Sequence, residues 1–164
     1  MPRAFANPNL RALALALAVP AAVLATNMER PELVRWRSTA QGAAEAGSSG
    51  KPILYFFTAD WCGPCHLMKD QIFGDKDLAA LIEREYVPVQ VVDRTRESGR
   101  NTADIDRLFQ TYEVHGFPTL VVTRPKSKSA VYVEGWPGKD RVAKFLKSVK
   151  DQLRDMEKEK AKNK

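Results

Sequence analysis

Cysteine is scarce in this chain: 164 residues carry two, Cys62 and Cys65. A secreted scaffold held by disulfides needs more cysteines at wider spacing. A bridge across so short a loop also adds little stability. The pair therefore reads as chemical rather than structural. Histidine is equally scarce, with only His66 and His115. Tetrahedral zinc usually takes four ligands, and Cys62, Cys65, His66 and the distant His115 make a poor set, so no metal site is expected. No apolar run is long enough to cross a bilayer. After Arg11 the chain offers 14 residues up to Ala25, against about 20 needed. There is no internal repeat, and the composition is neither disordered nor fibrous. The positive balance is mild. The formal charge is +6, or +4 without Arg3 and Arg11, and much of the excess sits in Lys126, Lys128 and the lysine-rich tail. That distribution reads as a solvated surface, not a nucleic-acid face.

What is present begins with a distinct first segment. Residues 1–25 contain two arginines and no acid. A Leu/Ala/Val stretch follows, broken by Pro20, and Val23-Leu24-Ala25 supplies compact residues for a cut. This is the layout of a secretory signal peptide, with the mature chain expected to begin near Thr26. The other readings are an uncleaved membrane anchor through residues 10–25 and a transit peptide for an organelle. No Cys lies near the cut, which excludes a lipid-modified cysteine there.

Residues 26–50 read as a helical connector that starts at Pro31-Glu32 and ends at Gly47-Ser48-Ser49-Gly50. Ile53 to Phe57 is a continuous apolar run, the mark of a buried central strand. A helix follows Cys62 and Cys65, and another spans Asp77 to Tyr86. Val87 to Val92 is a second buried strand. Arg94 to Asn101 is polar and reads as a loop. Ala103 to Tyr112 is helical, with Ile105, Leu108, Phe109 and Tyr112 on one face. Leu120–Thr123 and Val131–Glu134 form a hairpin. Val142, Phe145, Leu146, Val149, Leu153 and Met156 follow helical spacing, and residues 155–164 read as a charged flexible tail. The early βαβ order implies a parallel pair and the hairpin adds antiparallel strands, so the class is α/β with a mixed central sheet. The main domain is expected over residues 51–154.

Trp61-Cys62-Gly63-Pro64-Cys65 directly follows a buried strand and opens a helix. Cys62 would stand at the helix N-terminus, where unpaired N–H groups and the helix dipole favour a thiolate, the attacking species in disulfide exchange. Cys65 lies one turn on, within reach of a mixed disulfide at Cys62. Gly63 permits the tight turn, and Pro64 fits a first turn that needs no N–H.

These five residues resemble the thioredoxin active-site motif residue for residue. Gly116-Phe117-Pro118-Thr119, 51 residues after Cys65, resembles the second hallmark of the superfamily. Lys51-Pro52 and Ala59-Asp60-Trp61-Cys62 look closest to exported thioredoxin-like proteins and to the C-terminal domain of the bacterial transmembrane thiol reductase. The resemblance covers about residues 33–150. It implies a thioredoxin fold, helices flanking a mixed sheet, with a cis bond before Pro118 and that proline facing the disulfide. It also implies a redox-active Cys62–Cys65 pair with no other cofactor. Trp61, Gly63, Pro64, Phe117 and Pro118 would support the pair. Asp60, His66 and His115 are candidates for tuning it.

Two departures from the family stand out. Cytosolic thioredoxins carry a buried Asp where this chain has Phe56, and a nearby Lys that Val87 to Val92 lacks. Proton transfer at Cys65 must then take another route. The Gly-Pro dipeptide resembles reducing members, so the expected activity is reduction of protein disulfides. The expected partners are protein disulfide substrates and a membrane electron donor. The expected setting is the bacterial periplasm, with the protein acting as a monomer. Competing readings are a disulfide oxidase or isomerase, a docking module, and a metal or haem carrier. Cys62-x-x-Cys65-His66 fits the haem attachment pattern, but haem leaves Trp61, Pro64 and the Gly-Phe-Pro-Thr segment unexplained.

Overall fold

The computed structural model describes residues 31–162, apart from Lys128. The segment read as a signal peptide or anchor, and the start expected near Thr26, lie outside the described residues. Among the described residues no helix is long and apolar enough to cross a membrane.

Four strands form one mixed sheet in the order β2-β1-β3-β4. They are β1 (Ile53–Ala59), β2 (Val87–Asp93), β3 (Thr119–Thr123) and β4 (Ala130–Glu134). β1 pairs parallel with β2 and antiparallel with β3, and β3 pairs antiparallel with β4. All seven residues of β1 are buried, as its unbroken apolar run demands of a strand covered on both faces. Among the described residues the helices are α1 (Thr39–Ser49), α2 (Gly63–Met68), α3 (Lys76–Glu85), α4 (Thr95–Ser98), α5 (Ala103–Thr111) and α6 (Lys139–Lys162). A π-helical turn, Lys69–Phe73, extends α2.

The sheet divides the core in two. On one face Leu54, Phe56, Leu120 and Val122 meet Met68, Ile72, Phe73, Ile82, Leu146 and Val149 from α2, the π turn, α3 and α6. On the other, Tyr55, Phe57, Val89 and Val91 meet Ala46 of α1, Ile105, Leu108 and Phe109 of α5, and Tyr112 just after it. The helical spacing read for α5 thus serves a single packed face. Tyr86 ties α6 to the body, its hydroxyl donating to the Leu146 carbonyl at 2.6 Å. Burial pushes that phenol up to about 12.

Three local expectations need correction. The first helix begins at Thr39, not at Pro31-Glu32. Ser38 caps it: its hydroxyl accepts from the Gln41 N–H, and the Gln41 side chain accepts from the Ser38 N–H. That reciprocal pair satisfies two otherwise orphaned donors. The preceding residues are spent on the sheet instead. Arg37 bridges to Val89, and its N–H donates to the Pro88 carbonyl at 3.0 Å. Trp36 wedges between Phe56 and Phe73, with ring centroids 5.6 and 4.8 Å away.

The second correction concerns the tail read as flexible: α6 stays helical through Lys162. Its Lys, Glu and Ala residues are strong helix formers. Arg124 pairs with Glu157 at 3.2 Å and Lys160 donates to Ser129 at 2.8 Å, fastening the last turns to the β3–β4 hairpin. The third is the stretch read as a loop, 94–101, which contains the short helix α4.

Candidate functional site

β1 runs toward the edge where Ala59 ends the strand, and the chain turns at once into α2. The Cys62 N–H donates to the Ala59 carbonyl at 3.1 Å. Cys62 is the N-cap of α2, with extended backbone, and Pro64 lies in the first turn. Cys62 and Cys65 form a disulfide with Cα atoms 5.2 Å apart. The Cys65 N–H donates to Cys62 Sγ at 3.2 Å and to the Cys62 carbonyl at 3.0 Å. A backbone donor at a helix start is therefore aimed at one sulfur of the pair, where it stabilises negative charge when the S–S bond opens. The pair is deeply set: Cys62 is 3% exposed and Cys65 fully buried. Cys62 therefore has little solvent access while the disulfide is closed.

Around the pair, the candidate residues separate into three groups. Trp61 is half-exposed at 48%, and its ring meets that of Phe117 edge-on at 5.8 Å. Phe117 also meets Phe109 at 5.8 Å, so α5 supports it from behind. Pro118 is buried, and the Phe117–Pro118 bond is cis. Thr119 stands opposite Phe57 in the β1–β3 pairing, which brings Pro118 to the sheet end where β1 delivers the cysteines. Gly63 and Pro64 are exposed beside the disulfide.

Asp60 and His66 meet, His66 Nε2 lying 3.0 Å from the Asp60 carbonyl. The Asp60 carboxylate is ion-paired with Arg94. His115 is exposed next to Gly116. Among the described residues no group of three or more His, Cys, Asp or Glu could hold a metal ion.

Phe56 fills the place where an acid could have faced the buried cysteine. It is fully buried against Trp36 and Phe73, and Gln90 lies opposite it on β2. Two residues on, Thr58 is 1% exposed, and its hydroxyl has no hydrogen-bond partner among the described residues.

Sequence reasoning missed the 94–101 segment as part of this site. The Arg96 guanidinium carbon lies over the Trp61 ring, 5.0 Å from its centroid. Asp93 anchors the segment. Burial alone would raise its carboxyl, but hydrogen bonds from Asn101 and Thr95 together hold it below the usual range. The Arg content of the polar stretch was readable. Its contact with Trp61, across 35 residues of sequence, has no local pattern.

Residues 40–150 match the family described as Thioredoxin-like domain. The chain is 28% identical over 124 residues to the disulfide bond reductase DsbH of Chlamydia pneumoniae, covering 74% of each chain. A solved structure of a DsbH oxidoreductase aligns with a TM-score of 0.61 at 26% identity, over 76% of this chain and 90% of that one. The oxidised C-terminal domain of Neisseria meningitidis DsbD shares the fold, with a TM-score of 0.52 at 24% identity over 66% and 89% of the two chains. The family read from the two sequence motifs, and the likeness to bacterial thiol reductases, are both found.

Proposed function

The chain belongs to the thioredoxin-like domain family, and on that premise we propose that it is an exported protein-disulfide reductase. The observation that carries this reading is the Cys62–Cys65 disulfide spanning the start of α2, with the Cys65 N–H on Cys62 Sγ and the Trp61–Phe117 face beside it. A thioredoxin-like oxidoreductase with such a pair has one chemistry to hand. In the reduced protein the Cys62 thiolate attacks one sulfur of a substrate disulfide, forming a mixed disulfide and expelling the other sulfur as a thiolate. Cys65, losing its proton, attacks Cys62 Sγ and releases the second substrate sulfur. The substrate gains two electrons, and the protein is left as the disulfide seen here. A dithiol donor must return it to the reduced form, and outside the cytoplasm a membrane protein is the class that can carry those electrons across.

The reducing direction is supported by the Gly63-Pro64 dipeptide and by the resemblance to DsbH, a disulfide bond reductase by name. The proton that Cys65 loses does not pass to a buried carboxylate at position 56 in this reading, since Phe56 holds that place, and water carries it away. His66, against the Asp60 carbonyl, is the candidate that tunes the pair.

Two measurements test the proposal. Cys62→Ser should abolish reduction of a protein disulfide, whereas Cys65→Ser should accumulate a mixed disulfide through Cys62, visible on non-reducing gels. The potential of the pair should fall near that of reducing thioredoxins, about −270 mV. A value near −120 mV would make the protein an oxidant instead.

A further inference from the structure

The geometry points to Arg96 as a specificity determinant that selects disulfides flanked by a carboxylate, an inference that rests on the reductase reading above. Trp61 adjoins Cys62 in sequence and is half-exposed, which puts its ring on the surface beside the pair that a substrate disulfide would approach. One edge of that ring is taken by Phe117 at 5.8 Å, and Arg96 lies over its face at 5.0 Å. A positive charge is thus held against the exposed ring that precedes Cys62.

The segment is built to hold that charge in place. The Asp93 carboxylate, 9% exposed, accepts from the Thr95 N–H at 3.2 Å, the Thr95 hydroxyl at 2.9 Å and the Asn101 amide at 2.8 Å. Asn101 in turn accepts from the Arg94 N–H at 2.7 Å. Both ends of the excursion are therefore tied to one buried carboxylate, which restricts the region that Arg96 can occupy before any substrate arrives.

The charges around it are unevenly committed. Arg94 is paired with Asp60, and Asp93 is spent on the loop. Among the described residues Arg96 and Arg100 enter no ion pair, and Glu97 is the one acid of the segment left to offset them. Stacking on an aromatic ring occupies a guanidinium's face and leaves its N–H donors for an acceptor. The acceptor that suits a planar fork of donors is a carboxylate. An Asp or Glu beside the substrate's cysteine would meet Arg96 as the substrate sulfur meets Cys62.

The test uses three synthetic peptides, each closed by one disulfide and differing only in a Glu, Gln or Lys next to the second cysteine. Each rate of reduction by the protein is divided by the same peptide's rate with dithiothreitol, which removes intrinsic reactivity. The wild type should favour Glu over Gln by roughly 1.5- to five-fold, the span of an exposed ion pair. The preference should shrink as salt shortens the Debye length below about 8 Å. Arg96→Gln should bring the ratio to one, and Arg96→Lys should keep most of it. Lys158→Gln, which removes a charge from the end of α6 near the β3–β4 hairpin, should leave the ratio unchanged. A wild type indifferent to the flanking residue, or a preference that survives Arg96→Gln, would overturn the inference while leaving the reductase reading intact. A wild type that reduces none of the peptides would overturn both.

Discussion

Thr58 concentrates the chemistry at the scale of one residue. Its hydroxyl is buried on the strand that carries the cysteines and has no partner among the described residues. An unpaired buried hydroxyl costs about 1–3 kcal/mol relative to an apolar group of the same shape. Thr58→Val should therefore raise stability by about 1 kcal/mol, read as a higher urea midpoint at unchanged slope. A drop instead would show that the hydroxyl is hydrogen-bonded in solution. Phe56 makes the complementary point. Its identity was plain in the sequence, and so was the missing acid, but its packing against Trp36 and Phe73 was not, because Trp36 comes from a segment read as helix. The cysteines, Pro64 and the Gly-Phe-Pro-Thr segment were legible because each is tied to one local geometry. Arg94 and Arg96 were not, because a salt bridge or a ring contact joins residues that no local pattern relates.

Elements are decided by their ends and by single close approaches. Gly42 lies inside α1, where glycine costs about 1 kcal/mol relative to alanine, yet a Cβ there would stand 2.1 Å from Val89 Cγ2. Val89 is stiff and fully buried on β2. Overpacking of this kind costs about 1–3 kcal/mol, so Gly42→Ala should lose about 1–2 kcal/mol despite its better helix propensity. Thermal unfolding checks this, and a gain would mean that α1 can slide away from the sheet. At α3, Asp75 is the N-cap and accepts from the Asp77 and Leu78 N–H groups, both at 3.0 Å. A hydrogen bond from Lys139, with help from the Leu78 N–H, holds its carboxyl below the usual range. A depressed carboxylate stabilises the fold fully above its unfolded pKa of about 3.9 and loses that contribution as pH falls through the folded value. Asp75→Asn keeps a good cap but not the charge. The wild type should exceed it by about 1 kcal/mol at pH 7, and denaturation curves should converge as the pH drops below about 4. Element order and strand pairing were readable from buried runs and helical spacing. The start of α1 was not, because Pro31-Glu32 imitates a helix start that Ser38 and Gln41 supply.

At the scale of the whole molecule, the redox pair hangs from the end of an interior strand. β1 has β2 on one side and β3 on the other, and every one of its residues is buried, while residues 94–100 beside the pair are exposed throughout. Amide hydrogen exchange should therefore change steeply across this short distance. The amides of Phe56 and Phe57 should open only with global unfolding, and those of residues 96–99 should exchange by local fluctuation. Reduction of the disulfide should slow exchange at Cys65, whose N–H then rests on a negatively charged Cys62 Sγ, and leave β1 as slow as before. Exchange mass spectrometry on the oxidised and reduced forms reads this directly, and a loss of protection in β1 on reduction would refute it. A redox pair carried in this way opens and closes beyond the end of a strand that is paired along both edges, so the place expected to rearrange is the exposed rim and not the core.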